Sequence, residues 1–373
     1  MEVGIVGGGI VGATAAYYLA RNGVKVHLFD DDTGQATKAA AGIICPWFSL
    51  RRNQAWYQLV RRGAEFYHQL THDLIEDGYP ADEIYQVDGA LLIRKTERRI
   101  QQDVDQYREK ITDSPSIGEI KSLTSEEISP YFPLVNSEFP ATWVSGGGRV
   151  HGERLIAILR QAIEHYGGTL HNQRVRLKST DGQIQVDTGD TLFQFDQLLL
   201  SVGAWLPELL EPLGYQVDIH PQKGQLLVYQ SGAWCNQHWP VVMPFGQGDI
   251  IPFNNGELII GATHENEAGF DLEPDYEPLQ DLLDEANQWI KGHALHLDEA
   301  REIRIGTRGQ TSDYSVLLGQ VPQLANVWAV SGLGSSGLTS GPYIGYQWSQ
   351  RVLHHQWEIN ETDYPIEKYI QPQ

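Results

Sequence analysis

The chain has 373 residues, 48 acidic and 27 basic, for a formal net charge of −21. Such a field repels phosphate backbones and anionic headgroups, which excludes nucleic acid and acidic membrane surfaces as partners. The length suits two domains, and an apolar share of 41% with ten Trp, seventeen Tyr and ten Phe supports buried cores and argues against disorder.

The N-terminus reads MEVGIVGGGIVGATAAYYLARNGVKVHLFDDD. No basic leader precedes its apolar stretch, and glycines interrupt that stretch, so it reads as a first strand, neither a signal peptide nor a membrane span. A soluble cytoplasmic protein is expected. EVGIV is the strand, Gly7, Gly9 and Gly12 the turn, and helical spacing runs through Ala16, Leu19 and Gly23. A second strand, VKVHLF, ends at Asp30, eighteen residues beyond Gly12. Gly7 permits the tight turn, Gly9 lets backbone approach a pyrophosphate, and Gly12 lets helix and sheet pack closely. The free amides of the helix start suit phosphates. A carboxylate at Asp30 can accept both ribose hydroxyls and disfavours a 2′-phosphate, which leaves NAD and FAD.

AWYQLVRRGAEFYHQLTHDL follows as a helix with an aromatic stripe, QVDGALLIRK as a strand and TERRIQQDVDQYREKI as a charged surface helix. TSEEISPYFPLVNSEFPATWVSGGGRV reads as loops and short strands. HGERLIAILRQAIEHYGGTLHNQRVRLKST repeats the helix-to-strand alternation, and DQLLLSVGAW is a buried strand entering a glycine turn. HPQKGQLLVYQ and GELIIGATHE read as sheet strands, YEPLQDLLDEANQWI as an amphipathic helix, and NVWAVSGLGSSGLTSGPYIGYQWSQRVL as strand, turn and helix. Cys45 and Cys235 are the only cysteines, so both read as ordinary buried thiols in a reducing compartment. No cluster has metal-site spacing, and no serine sits in a nucleophile elbow.

Together these segments resemble the FAD-dependent amino acid oxidase family, which includes D-amino acid oxidase, glycine oxidase, sarcosine oxidase and D-amino acid dehydrogenase. The marks are GIVGGGIVG with Asp30, ATKAAAGIICP, GGGRVHGERLIAILRQAI, LLLSVGAW, PQKGQLL, PFNNGELIIGAT, IGTRGQTSDYSVLLGQVP and SGLGSSGLTSGP, over essentially the whole chain. The resemblance implies an α/β fold: a discontinuous Rossmann-like FAD-binding domain (1–85, 146–215 and 320–373) and a mixed-sheet α+β substrate domain (86–145 and 216–319). It implies non-covalent FAD held by Gly7, Gly9, Gly12, Asp30 and Asp31, by Ala40, Ala41, Gly42 and Ile43, by Val175, Gly203 and Trp205, and by Gly334, Ser335, Ser336, Gly337, Leu338 and Thr339. The last group places a helix start at the flavin edge that becomes anionic on reduction.

On the substrate side the resemblance assigns Arg308 to the substrate carboxylate, which a guanidinium grips with two parallel bonds, and places it beside the cofactor. The sequence departs from its relatives elsewhere. Ser335 stands near a second arginine of glycine oxidase, and Leu333 replaces a histidine of the dehydrogenases. Asp249 or a neighbour occupies the place of a tyrosine, and Tyr314 and Tyr343 are candidates for the missing hydroxyl. His151 reads as a helix-opening residue, while His220 and His264 face the substrate side.

The expected reaction oxidises the CH–NH bond of a small amino acid (a D-amino acid, glycine or an N-alkyl amino acid), giving an imino acid and then a 2-oxo acid. Oxygen, or a quinone or electron carrier, is the acceptor. A homo-oligomer is compatible with this reading. The competing readings are an inert or partner-dependent flavoprotein subunit and an NAD-dependent dehydrogenase.

Overall fold

A computed structural model describes residues 1–180, 182–292 and 294–373. The strand Glu2–Val6 lies inside a six-stranded sheet in the order Leu317–Gln320, Val327–Ser331, Gln197–Leu200, Glu2–Val6, Lys25–Phe29 and Thr169–His171. Its pairings are parallel except that between Leu317–Gln320 and Val327–Ser331. Helices cover the central strands on one face, and the antiparallel set Arg176–Thr180, Gln183–Asp187 and Leu192–Gln194 with the short helix Leu206–Leu210 packs on the other, so those strands read as nearly continuous apolar runs. From Glu2–Val6 the chain builds first to one side and later to the other.

The helix Ile10–Arg21 is buried from Ile10 to Ala20. It packs between Gly152–His165 and Gly337–His354. Small residues allow this: a Cβ on Gly345 would strike the Val11 carbonyl oxygen and lie 3.1 Å from Thr14 Cβ, and one on Gly341 would meet Ile10 Cγ2 at 2.5 Å. The long helix Gln54–Glu76 crosses the C-terminal helix in the same way, with Gly63 against the Thr339 carbonyl.

An eight-stranded mixed sheet runs in the order Glu302–Gln310, His220–Cys235, Asn255–Gly261, Asp249–Pro252, Val241–Met243, Ala90–Ile93, Ala141–Val144 and Ile120–Leu123. Only the pairing of Val241–Met243 with Ala90–Ile93 is parallel. The helix Tyr276–Asn287 lays Leu279, Leu282, Leu283 and Ala286 on one face of this sheet, against Leu227, Ile250, Leu258 and Ile260. Its spacing is that of an amphipathic helix. The molecule is thus an α/β fold with a Rossmann-like dinucleotide-binding region and a mixed-sheet domain.

Among the described residues several strands went unread in the sequence, including Gln183–Asp187 and Leu192–Gln194 of an antiparallel set with Arg176–Thr180, and the strands Glu302–Gln310 and Leu317–Gln320. The strands Tyr85–Gln86, Tyr215–Val217 and Leu317–Gln320 straddle the boundaries drawn at 85/86, 215/216 and 319/320. Tyr215–Val217 pairs with Ile370–Pro372, and Leu317–Gln320 belongs to the six-stranded sheet. Cys45 is buried, Cys235 half-buried, and both are free thiols. No helix among the described residues is long and apolar enough to cross a membrane.

Replacing Gly345 by leucine forces a branched side chain into the Val11 backbone. The expected result is a loss of about 1–3 kcal/mol, seen as a lower urea midpoint.

Candidate dinucleotide and substrate cleft

The carboxyl ends of the parallel strands open onto one cleft of about 900 Å³. Val6 and Gly7, Phe29 and Asp30, Ser201 and Val202, and Ser331 and Gly332 line it just where four strands end. Open α/β sheets take ligands at this point, where the strand order reverses.

Two helices begin at the cleft wall, Ile10–Arg21 after Gly9 and Gly337–His354 after Ser336, and neither N-cap residue caps its first turn with its own side chain. Thr37 Oγ1 accepts from the Ile10 amide at 3.0 Å. The other first-turn amides leave donors and the positive ends of two helix dipoles at the wall, a donor set suited to phosphate and to a ring that becomes anionic. Gly7 has φ +101°, and a Cβ there would lie 2.5 Å from the Ser201 carbonyl carbon. No other residue fits that turn.

Beyond the turn, Asp30 accepts from the Gly8 amide through Oδ2, and from the Asp32 amide (2.7 Å) and Gln35 Nε2 (2.6 Å) through Oδ1. Burial pushes its carboxyl up, while those donors and Arg160 act against the rise. Asp31 pairs with Arg174 Nε at 2.9 Å, and Arg174 reaches Glu208 at 3.3 Å, so three charges bridge this end of the cleft. Burial opposes ionisation of Asp31, but the Thr33 amide and Arg174 prevail and its pKa is lowered.

The facing wall comes from the eight-stranded sheet. Arg308 lies on Glu302–Gln310, opposite Gln222 in register. Its Nη1 donates to the Thr263 carbonyl at 3.0 Å and to Gln222 Oε1 at 3.3 Å. A Cβ on Gly224 would sit 2.5–2.6 Å from the guanidinium atoms, so Gly224 is the seat on which Arg308 lies. Among the described residues no carboxylate pairs with it. Burial lowers its pKa to about 10, and Glu265 opposes this only through space. His264 lines the same region, held low by burial and by the Arg308 charge.

Asp249 enters from the strand Asp249–Pro252, paired with Gly261, which in turn pairs with Leu226. In register it stands across from Arg304, three strand spacings or roughly 14 Å of sheet away, and Arg308 lies four residues, about 13 Å, further along that strand. Burial alone pushes its carboxyl up to about 8. The cleft thus offers a fixed cation at one place and a mainly neutral acid at another.

Most residues singled out from the sequence meet here: Gly7, Gly9, Asp30, Asp31, Ala40, Ala41, Gly42, Ile43, Val175, Gly203, Trp205, Asp249, Arg308 and Gly334 to Thr339 line one cleft. Two do not. Gly12 lies beneath it, where a Cβ would meet the Gly7 carbonyl and, at 2.5 Å, Ser201 Oγ, so its part is packing. Tyr314 is 52% exposed, in a turn closed by Thr311 Oγ1 on the Ser315 carbonyl and amide, with its own amide on the Thr311 carbonyl and its carbonyl accepting from Arg51 Nη2. Tyr343 is also absent from the wall, its hydroxyl bonded to Arg62 and Glu358. His151 caps Gly152–His165, and His220 is exposed beside Asp218.

Sequence reading missed Gln222, Gly224, Thr37 and Trp56, whose Nε1 donates to Ser336 Oγ at 3.0 Å. PQKGQLL contained the first two, but only cross-strand register reveals what they hold. His72, Asp73 and Glu76 form a surface grouping of possible metal ligands that the sequence reading did not single out. Asp73 is already held there by Arg21 and the Tyr18 hydroxyl.

A strand order of this kind around a glycine turn, facing a second mixed sheet, defines a dinucleotide-binding oxidoreductase of two parts. The family model described as FAD dependent oxidoreductase matches residues 2–351, and the chain belongs to that family. An uncharacterised oxidoreductase, YurR, of Bacillus subtilis strain 168 is 37% identical over 363 residues, covering 96% of this chain and 97% of its own. The glycine oxidase of Pseudomonas aeruginosa PAO1 is 28% identical over 355 residues, covering 91% and 92%. The crystal structure of iminodiacetate oxidase (IdaA) from Chelativorans sp. BNC1 superposes with a TM-score of 0.90 at 32% identity, covering 97% of this chain and 98% of that one.

The Asp249 carboxyl gives a pH prediction. Its folded pKa lies above the unfolded value of 3.8. The folded state therefore holds the proton more tightly, and this stabilisation is complete below pH ~4 and lost as pH rises through about 8. The stability of Asp249→Asn relative to the parent should rise from pH 5 to pH 8, measured as the difference in urea midpoints.

Proposed function

We propose that this protein holds FAD non-covalently and oxidises the C–N bond of a small amine carrying a carboxylate on the adjacent carbon, giving an imino acid that water converts to a 2-oxo acid. The observation that carries this reading is Arg308: a half-buried side chain on the cleft wall whose guanidinium has no carboxylate partner among the described residues. Burying an unpaired charge costs several kcal/mol, so a site that maintains one is organised for an anionic ligand. The iminodiacetate and glycine named for two similar proteins both place an amine nitrogen one carbon from a carboxylate.

The six-stranded sheet and its helices (segments 1–85, 146–215 and 320–373) hold the dinucleotide in this reading, while 86–145 and 216–319 hold the substrate. Gly7, Gly9 and the helix start at Ile10 receive the pyrophosphate, and Asp30 receives the ribose. When bound, the flavin supplies the acceptor for the hydride equivalent that leaves the substrate α-carbon. Arg308 fixes the carboxylate by two parallel bonds and so orients the α-carbon. Gln222 and the Thr263 carbonyl hold the guanidinium in its plane. The helix start at Gly337 stabilises negative charge that develops on the ring edge. Asp249, protonated below about pH 8, can donate a hydrogen bond, and its ionised form above that pH can accept a proton from the substrate ammonium. Oxygen, or a quinone or electron carrier, restores the oxidised state.

Arg308→Met should raise KM for the amine substrate about 100-fold, the loss of a bidentate charged contact, while the purified protein keeps its flavin colour. Arg308→Lys retains the charge without the fork and should fall between. An unchanged KM in Arg308→Met would remove the carboxylate from this site.

A further inference from the structure

One feature of the cleft is assembled from a segment whose tip does not line it. Residues 263–275 leave the strand Asn255–Gly261, project as an arm, and return to the helix Tyr276–Asn287. The root of this arm is tightly bound to the strand His220–Cys235. Gln225 and Thr263 exchange two bonds of 2.9 Å. Lys223 and Glu265 exchange backbone bonds of 3.1 and 3.0 Å. The far end returns to the same place, with the Asp275 amide on Gln225 Oε1 at 2.9 Å and Gln225 Nε2 on the Asp275 carbonyl at 3.2 Å. Between them Lys223, only 1% exposed, sends its ammonium to Asp271 Oδ2 at 2.9 Å and to the Glu273 carbonyl at 2.5 Å. A buried ammonium with two such partners fixes the arm from beneath.

The tip carries two large apolar side chains, Phe270 (41% exposed) and Leu272 (36%). Their contacts lie on the other part of the molecule. Phe270 meets the Trp205 ring at 5.1 Å between centroids, tilted by 37°. At Gly34, a Cβ would touch Leu272 Cδ2 at 3.2 Å and Trp205 at 3.0 Å, so Trp205 and Leu272 close together over that glycine. Trp205 lines the cleft, and so do Thr33 and Gln35 on either side of Gly34. The arm therefore presses from outside on a ring that forms the cleft wall, beside the loop whose Gln35 holds Asp30.

We propose that residues 263–275 are a latch that holds Trp205 against the 33–35 loop and sets how slowly the dinucleotide leaves. This rests on the FAD reading above. Phe270 and Leu272 are positioning residues, since they act through Trp205. The same strand roots both devices: Gln222 and Gly224 carry Arg308, while Lys223 and Gln225 carry the arm.

The test uses the flavin-loaded protein as purified, diluted in buffer, with flavin release timed by ultrafiltration. Phe270→Ala should release flavin up to about tenfold faster, the factor expected from losing one aromatic pair. Phe270→Tyr retains the ring and should release at the parental rate. Asp271→Asn, which strips the counter-ion from Lys223, should also accelerate release. With flavin saturating, kcat for Phe270→Ala should equal that of the parent, since the side chain does not reach the cleft. Parental release rates in both Phe270→Ala and Asp271→Asn overturn the latch and leave the flavin reading intact. A parent that binds no flavin overturns both.

Discussion

Backbone meeting backbone without an intervening side chain is the constraint on which the rest depends. At Gly7 and Gly12 the first strand, the first helix and Ser201 come so close that any Cβ would collide. At Gly341 and Gly345 the C-terminal helix settles directly on Ile10 and Val11. Each contact forgoes side-chain burial and incurs the entropy of ordering glycine. In return, two helix starts from opposite ends of the chain converge on one cleft. Convergence of those two positive ends gives the cleft a donor set suited to an anion in a protein whose net charge is −21.

The facing wall works by opposite means. There, ionisable groups are placed where their usual forms are costly: Arg308 without a carboxylate partner among the described residues, and Asp249 raised to about 8 by burial. Both sit on the eight-stranded sheet, whose hydrogen-bonded register keeps them apart and keeps Gly224 beneath the guanidinium. A loop could not hold Arg308 flat against a backbone in this way. Perturbed groups gathered in one cleft mark a functional site, and here the perturbation has a structural cause at each residue.

Much of this was legible in the residues. The glycine turn with Asp30, the helical spacing at Leu279, Leu282, Leu283 and Ala286, and the strand–turn–helix around Gly334 each depend on neighbours close in sequence, so local pattern was enough. Arg308 was legible only through family resemblance, because IGTRGQ contains nothing that distinguishes it from a surface arginine. The seat at Gln222 and Gly224 was not legible: it depends on pairing with a strand that begins 67 residues after the other ends (Cys235 to Glu302). Tyr314 shows the same limit from the other side. It was a candidate for a missing hydroxyl, but a turn with φ +59° sends it to the surface. The arm of 263–275, rich in Glu and Asp, was not singled out, because Phe270 acquires meaning only from Trp205 across the cleft.

The most direct measurement is the visible spectrum of the purified protein, followed without oxygen as glycine, sarcosine, proline, iminodiacetate and D- and L-amino acids are added in turn. The account predicts a yellow protein whose flavin band bleaches with a compound bearing an amine beside a carboxylate. It also predicts no bleaching by the same amine lacking the carboxylate. A colourless protein, even after FAD is supplied, or a yellow one that no carboxylated amine bleaches, would contradict it.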